Sequence, residues 1–232
     1  PMMEGAGTTA YDGSGNGNHG TISGATYVNG VGAPVAQTSV IDWNKGSNYF
    51  LQSNTFSTSW TAYAASVASG QSGYAGTQNA WKLQSTGASA SYIEQISAIN
   101  SLQTISIIAK SGNANFLVIS NQGGGFSWYN LSNGTLGSSG GTIQNKSITS
   151  LGNGWYLCTL TNTANITGVN FHIADADGST TATNGNYIYI QNSQRELTST
   201  AGPYVPTFAT AQPTPVLLPA GLTTGRDITG VN

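Results

Sequence analysis

The sequence predicts an all-β protein, an antiparallel β-sandwich of the jelly-roll type. Three observations carry this. Apolar residues at helical spacing are scarce, whereas strict alternation and short β-branched runs recur along the chain. Clusters of Gly, Asn and Ser separate those runs, as turns between strands require. Finally, 5 Trp and 11 Tyr lie among runs rich in Val, Ile and Thr, so the strands have material for a core.

The predicted strands are Ser91 to Ile96, Thr104 to Lys110, Asn115 to Ser120, Phe126 to Leu131, Gly154 to Thr161, Gly168 to Ala174 and Asn186 to Gln191. Between them, Ser111-Gly112-Asn113, Ser132-Asn133-Gly134 and Gly152-Asn153-Gly154 supply residues that tolerate positive φ. Short strands with this punctuation are the raw material of sandwiches and jelly rolls. The ends differ. Residues 1–31 are Gly-rich with little to bury, and residues 208–232 carry Pro213, Pro215 and Pro219, which favour an extended linker or tail. One compact domain is expected over about 32–207.

Composition excludes several functions. Charged residues are 6% of the chain, with 6 Lys+Arg against 8 Asp+Glu and a net charge of −2. Such a chain has no field to gather phosphate backbones or anionic lipid, so neither nucleic acid nor membrane is an expected partner. No run of about 20 apolar residues exists to span a bilayer, and the opening Pro1-Met2-Met3-Glu4-Gly5 lacks the pattern of a signal peptide. Cys158 is the single cysteine, and alternation through Trp155-Tyr156-Leu157-Cys158-Thr159-Leu160 buries it beside Tyr156 and Leu160 as a core thiol. Ser, Thr, Asn and Gln replace the missing charges. A neutral surface of amides and hydroxyls suits uncharged polyols such as sugars.

Two stretches resemble known families. Tyr11 to Gly20, followed by Thr21-Ile22-Ser23-Gly24-Ala25, resembles the motif that opens concanavalin A-like (laminin-G-like) domains, as a remnant or linker. The larger resemblance begins with Asn48 to Trp60, Trp81-Lys82-Leu83-Gln84 and Ser91-Tyr92-Ile93-Glu94-Gln95. It continues through Thr104 to Lys110, Gly152-Asn153-Gly154-Trp155-Tyr156, Ala174 to Gly178, Ile188 to Gln191 and Pro203-Tyr204-Val205-Pro206-Thr207. In that order these pieces are similar to carbohydrate-binding-module-like jelly rolls of bacteriophage tail, fibre and minor virion proteins. The resemblance implies a module carried on a virion that recognises host-surface polysaccharide or glycan, alongside other virion proteins. Gln194-Arg195-Glu196 departs from it, standing where Gln-Leu-Glu is usual, and 61–76 is poor in Pro and Asp.

Sugar recognition by such a surface rests on aromatic rings, whose faces bury the C–H side of a pyranose. The candidates are Trp43, Trp60, Trp81, Trp128, Tyr74 and Tyr129. Phe126 and Trp128 share one strand face and Ser127 and Tyr129 the other. Polar Ser127 marks its side as the wetter one, so Tyr129 is the ring expected outside.

No cofactor is expected. Asp12, Ser14, Asn16 and Asn18 have the spacing of a calcium loop, but Ser23 stands where its bidentate Glu belongs, and a bare turn is the reading. Asp175 and Asp177 leave a structural calcium or a solvated turn open. Only Glu94 and Glu196 lie on convincing strands, His19 and His172 lack metal-ligand neighbours, and no Gly-x-Ser-x-Gly is present, so no enzyme is expected. Two readings follow: a non-catalytic adhesion or decoration module binding glycan weakly, or a structural virion protein packing as a homo-oligomer, a trimer, without a ligand.

Overall fold

The computed structural model describes residues 9–10, 20–21 and 44–218, apart from 88, 124 and 164. The chain divides into two units, Pro1–Trp43 and Asn44–Asn232. In the first, β1 (Thr9–Ala10) pairs antiparallel with β2 (Gly20–Thr21). The motif between them, with Asp12 and His19, lies outside the described residues, as does Trp43.

The second unit is built from β3 (Asn44–Asn48), β4 (Thr61–Tyr63), β5 (Ala65–Gln71), β6 (Ala80–Ser85), β7 (Ser91–Asn100), β8 (Gln103–Ser111) and β9 (Phe116–Asn121). There follow β10 (Gly125–Asn130), β11 (Thr135–Gly140), β12 (Asn145–Gly152), β13 (Trp155–Asn162), β14 (Asn165–Ala174), β15 (Tyr187–Glu196) and β16 (Gln212–Leu218). Two antiparallel sheets of six strands result. The first runs β11-β10-β9-β14-β7-β4 and the second β12-β13-β8-β15-β6-β5, while β16 pairs with β3. Within them, β6-β15-β8-β13 faces β7-β14-β9-β10, and taken through these eight strands alone the order alternates between sheets except at the β9–β10 hairpin. That is the jelly roll. Strands β4 and β11 widen one sheet, β5 and β12 the other.

Alternation decides which side chains enter the core. Ile93, Leu117, Ile119, Tyr129, Phe171 and Ile173 point inward from the first sheet. They meet Leu83, Ile105, Ile107, Cys158, Leu160, Ile188 and Ile190 from the second. Cys158 is the buried thiol that the pattern of β13 predicts, and burial pushes its pKa up. Tyr156 packs on the same core.

Two motif pieces distant in sequence meet in space. The segment 48–60 lays Phe50, Phe56 and Trp60 into the core, with Trp60 5.1 Å from Phe50 and 5.5 Å from Phe171 between ring centroids. The segment 203–207 locks onto it: the Tyr204 and Ser53 hydroxyls lie 2.7 Å apart, Asn48 donates to the Val205 carbonyl at 2.9 Å, and Thr207 donates to that of Phe50 at 2.6 Å. Strand β15 holds the same segment, since the Gln194 side chain donates to Pro203 O and accepts from Val205 N. These polar ties explain why both pieces carry such particular residues.

The turn chemistry holds with one change. Gly152, Asn153 and Gly154 all take positive φ, at 86°, 52° and 78°. Gly112 does not serve as a positive-φ residue. A Cβ there would sit 2.3 Å from the Tyr187 ring and 2.5 Å from its carbonyl oxygen, so glycine is needed for close approach.

Candidate functional site

The predicted aromatics separate into different environments. Trp60 is buried in the core. Trp81 is half-buried against the same core, its indole N–H donating to Asn54 O at 2.9 Å. Tyr74 is half-buried in a small cluster with Ala80, Ile108 and Trp155 outside the second sheet. Tyr129 corrects the sequence reading. Its ring is fully buried between the sheets, its hydroxyl donates to Thr159 O at 2.6 Å, and burial drives its phenol pKa well up. Ser127 shares that inner face and is equally buried. The small hydroxyl beside Tyr129 is a core filler, and a ring enclosed on all sides offers no face to a ligand. Trp128 is therefore on the outer face, 7% exposed, with Phe126 stacked beside it at 5.7 Å.

The register of the first sheet turns that outer face into a row of rings. Tyr63 on β4 pairs with Tyr92 on β7, Tyr92 with His172 on β14, His172 with Val118 on β9, and Val118 with Trp128 on β10. Tyr63 and Tyr92 stack at 4.8 Å with 24° between planes. Tyr92 and His172 follow at 4.6 Å, and Phe126 lies 6.3 Å from the imidazole. Five strands at the usual spacing make this row roughly 19 Å long. β4 is the last strand of its sheet, and Tyr63 is 42% exposed. His172 is the buried floor between Tyr92 and Phe126. Its Nε2 lies 2.9 Å from the Ser120 hydroxyl, Nδ1 is buried without a partner, and burial lowers its pKa to about 4.

A polar row runs alongside. Thr61, Glu94, Asn170, Ser120 and Phe126 pair in succession across the same strands. Gln122 donates to the Glu94 carboxylate at 2.5 Å. The Glu94 carboxylate beside it raises the Tyr63 phenol pKa. Gly168 leaves room for Gln122, since a Cβ there would come within 3.0 Å of the Gln122 side chain. Rings and hydrogen-bonding groups thus lie in adjacent rows of one face. That is what a sugar, apolar on its C–H face and polar at its rim, requires of a surface.

The loop 175–183 borders this face. Trp128 donates its indole N–H to Ser179 O at 2.5 Å, and Asp177 accepts from the Ser138 amide and hydroxyl at 2.7 and 2.8 Å. Asp175 accepts instead from Thr183 and Asn186. The two carboxylates face different protein donors, and no group of three or more His, Cys, Asp or Glu suited to a metal is found among the described residues.

The two strand-borne acids lie apart. Glu94 is on the outer face of the first sheet, and Glu196 on that of the second, where it accepts from Gly202 N at 2.9 Å. The whole core separates them, and stacked sheets alone are about 10 Å apart.

The sequence alone does not single out Tyr63, Tyr92 or Gln122 for this face, and it raises Glu94 and His172 only in weighing catalysis and metal binding. The alternation Tyr92-x-Glu94 was legible as one strand face, but the neighbours across the sheet depend on register, which no local pattern encodes.

No protein family and no curated protein matches the chain. Among solved structures, the enzymatically active domain of tailspike protein 4 of bacteriophage CBA120 is similar over 64% of this chain and 21% of that one, at 13% identity and a TM-score of 0.36.

Proposed function

We propose that this chain is a non-catalytic glycan-binding module of a bacteriophage virion, with the outer face of the first sheet as its binding surface. The observation that carries the reading is the row from Tyr63 to Trp128 with the Glu94–Gln122 pair beside it. A pyranose stacks on the open side of Tyr63, and its hydroxyls donate to Glu94 and exchange hydrogen bonds with Asn170 and Gln122. The placement on a virion rests on the sequence resemblance of the pieces between Asn48 and Thr207. The non-catalytic reading rests on the separation of Glu94 from Glu196, because hydrolysis of a glycoside uses two carboxylates within about 10 Å of each other. Flat open faces bind single sugars weakly, and display of many copies on a particle makes up the avidity.

Ile96, 61% exposed on the same face, favours a second use, packing against another copy or a neighbouring virion protein. An array of host-surface polysaccharides separates the two. Wild type is expected to bind, and Tyr63→Ala and Glu94→Gln each to weaken binding about tenfold, the value of one stacking contact or charged hydrogen bond. Absence of binding to every glycan, together with a concentration-dependent oligomer that Ile96→Asp dissolves, would establish the packing role instead.

A further inference from the structure

The outer face of the second sheet carries a different chemistry from the first. Trp155 on β13 pairs with Lys110 on β8, Lys110 with Tyr189 on β15, and Tyr189 with Lys82 on β6, so these four residues form one row across four strands. The Lys110 ammonium stands 6.0 Å from the centroid of the Trp155 ring, and that of Lys82 stands 5.5 Å from Tyr187. Tyr187 lies edge-on to Tyr189 at 5.4 Å, and Trp155 is 6.4 Å from Tyr189.

A cation over a ring is held by the quadrupole without being neutralised. Both charges therefore remain available, and among the described residues neither ammonium has a carboxylate partner. Glu196 takes Gly202 N at the far end of β15, and Glu94 lies on the opposite face. In a chain with 6 Lys+Arg, two share this one row. They are separated by one strand, about 10 Å. A small anion does not bridge that distance, whereas successive acid groups of one polymer do, and the Tyr189 ring between them offers a stacking surface for the intervening sugar.

We propose that this face is a second binding site, for an acidic polysaccharide whose carboxylates meet Lys82 and Lys110 while a pyranose lies over Tyr189. The proposal rests on the glycan-binding reading for its ligand class but uses none of the residues of the first face.

The test is titration of the full chain with a panel of uronate-containing polysaccharides and with the same polymers after carboxyl reduction. Wild type is expected to prefer the acidic forms by about tenfold or more, with the preference shrinking several-fold as salt screens the lysines. Lys82→Gln/Lys110→Gln is expected to abolish the preference and Lys82→Arg/Lys110→Arg to retain it. Equal binding of acidic and reduced polymers, indifference to the lysine changes, equal binding of a single-stranded oligonucleotide, or no binding of any acidic polymer would each overturn the proposal. Neutral-glycan binding that Tyr63→Ala removes, with no preference for the acidic forms, would leave the first face standing while this one falls. Unchanged melting curves of the variants separate loss of binding from loss of fold.

Discussion

Arg195 shows how one residue can break a pattern and still fit. It occupies an inward position on β15, where an aliphatic side chain would continue the core, and it is fully buried. Its guanidinium bridges the sheets. Nε donates to the Gln103 side-chain oxygen at 2.5 Å, Nη1 to Ser97 O at 2.6 Å and Nη2 to Ile166 O at 3.3 Å. Burial still costs it, lowering its pKa to about 10. Breaking one side of a buried charged hydrogen bond is dearer than removing both sides. Gln103→Leu is therefore expected to destabilise by about 2–3 kcal/mol in urea unfolding, because Arg195 keeps its charge and loses an acceptor. In Gln103→Leu/Arg195→Leu most of that loss should return. If the double variant is less stable than Gln103→Leu alone, Arg195 contributes net stability and the argument from desolvation fails.

At the level of strands and loops, what the sequence made legible was whatever a single strand decides for itself. Each of the seven predicted strands is present, because β7, β8, β9, β10, β13, β14 and β15 are central or nearly so and alternate between a core and an outer face. Strands β4, β5, β11 and β12 carry no such mark, and β6 was legible only through the Trp81 to Gln84 piece of the resemblance. The edge strands are rich in Ala, Ser, Gly and Thr with largely exposed side chains, so no clear alternation marks them. The pairing of Phe126 with Trp128 was legible for the same reason as the central strands. Which of the two faces was outside was not, since Ser127 looks solvent-facing in isolation and only the packing of Tyr129 shows otherwise. Nor could the sequence show that the loop 175–183 folds over Trp128. That cover is pinned through Asp177, whose pKa is held down chiefly by the Ser138 amide, with Lys146 of β12 nearby. Asp177→Ala removes the pin at an exposed site and should change stability by less than about 1 kcal/mol. Quenching of tryptophan fluorescence by a neutral quencher should nonetheless rise, and Trp128→Phe in the same background should remove the gain. If quenching is unchanged, the bond from Trp128 to Ser179 holds the loop without Asp177.

For the molecule as a whole, scarcity of charge makes its response to pH unusually simple. Most domains carry many titrating groups whose effects overlap, but this chain has 8 Asp+Glu and 2 His. Between the ordinary range of carboxylates and neutrality, His172 is, among the described residues, the group whose titration folding alters. It is buried at the centre of the first sheet, where Nε2 shares a hydrogen bond with the Ser120 hydroxyl and a proton on Nδ1 would find no acceptor among the described residues. Its pKa falls from 6.5 to about 4. Above the unfolded value both states hold a neutral ring, and the full stability is present. As pH falls below 6.5 the unfolded chain binds a proton that the folded one refuses, so stability declines until the folded ring titrates near 4. The whole loss is on the order of 3 kcal/mol. Asp175 and Asp177, both with lowered pKa values, add a further decline at lower pH, because protonating them removes acceptors that the folded loop uses. Denaturant unfolding followed from pH 7.5 to pH 4 should therefore give a falling free energy with an unchanged dependence on denaturant. In His172→Gln, whose amide can still meet Ser120 and takes up no proton, the curve should be flat over the same interval. A slope that survives in His172→Gln would mean that groups other than His172 govern the acid response.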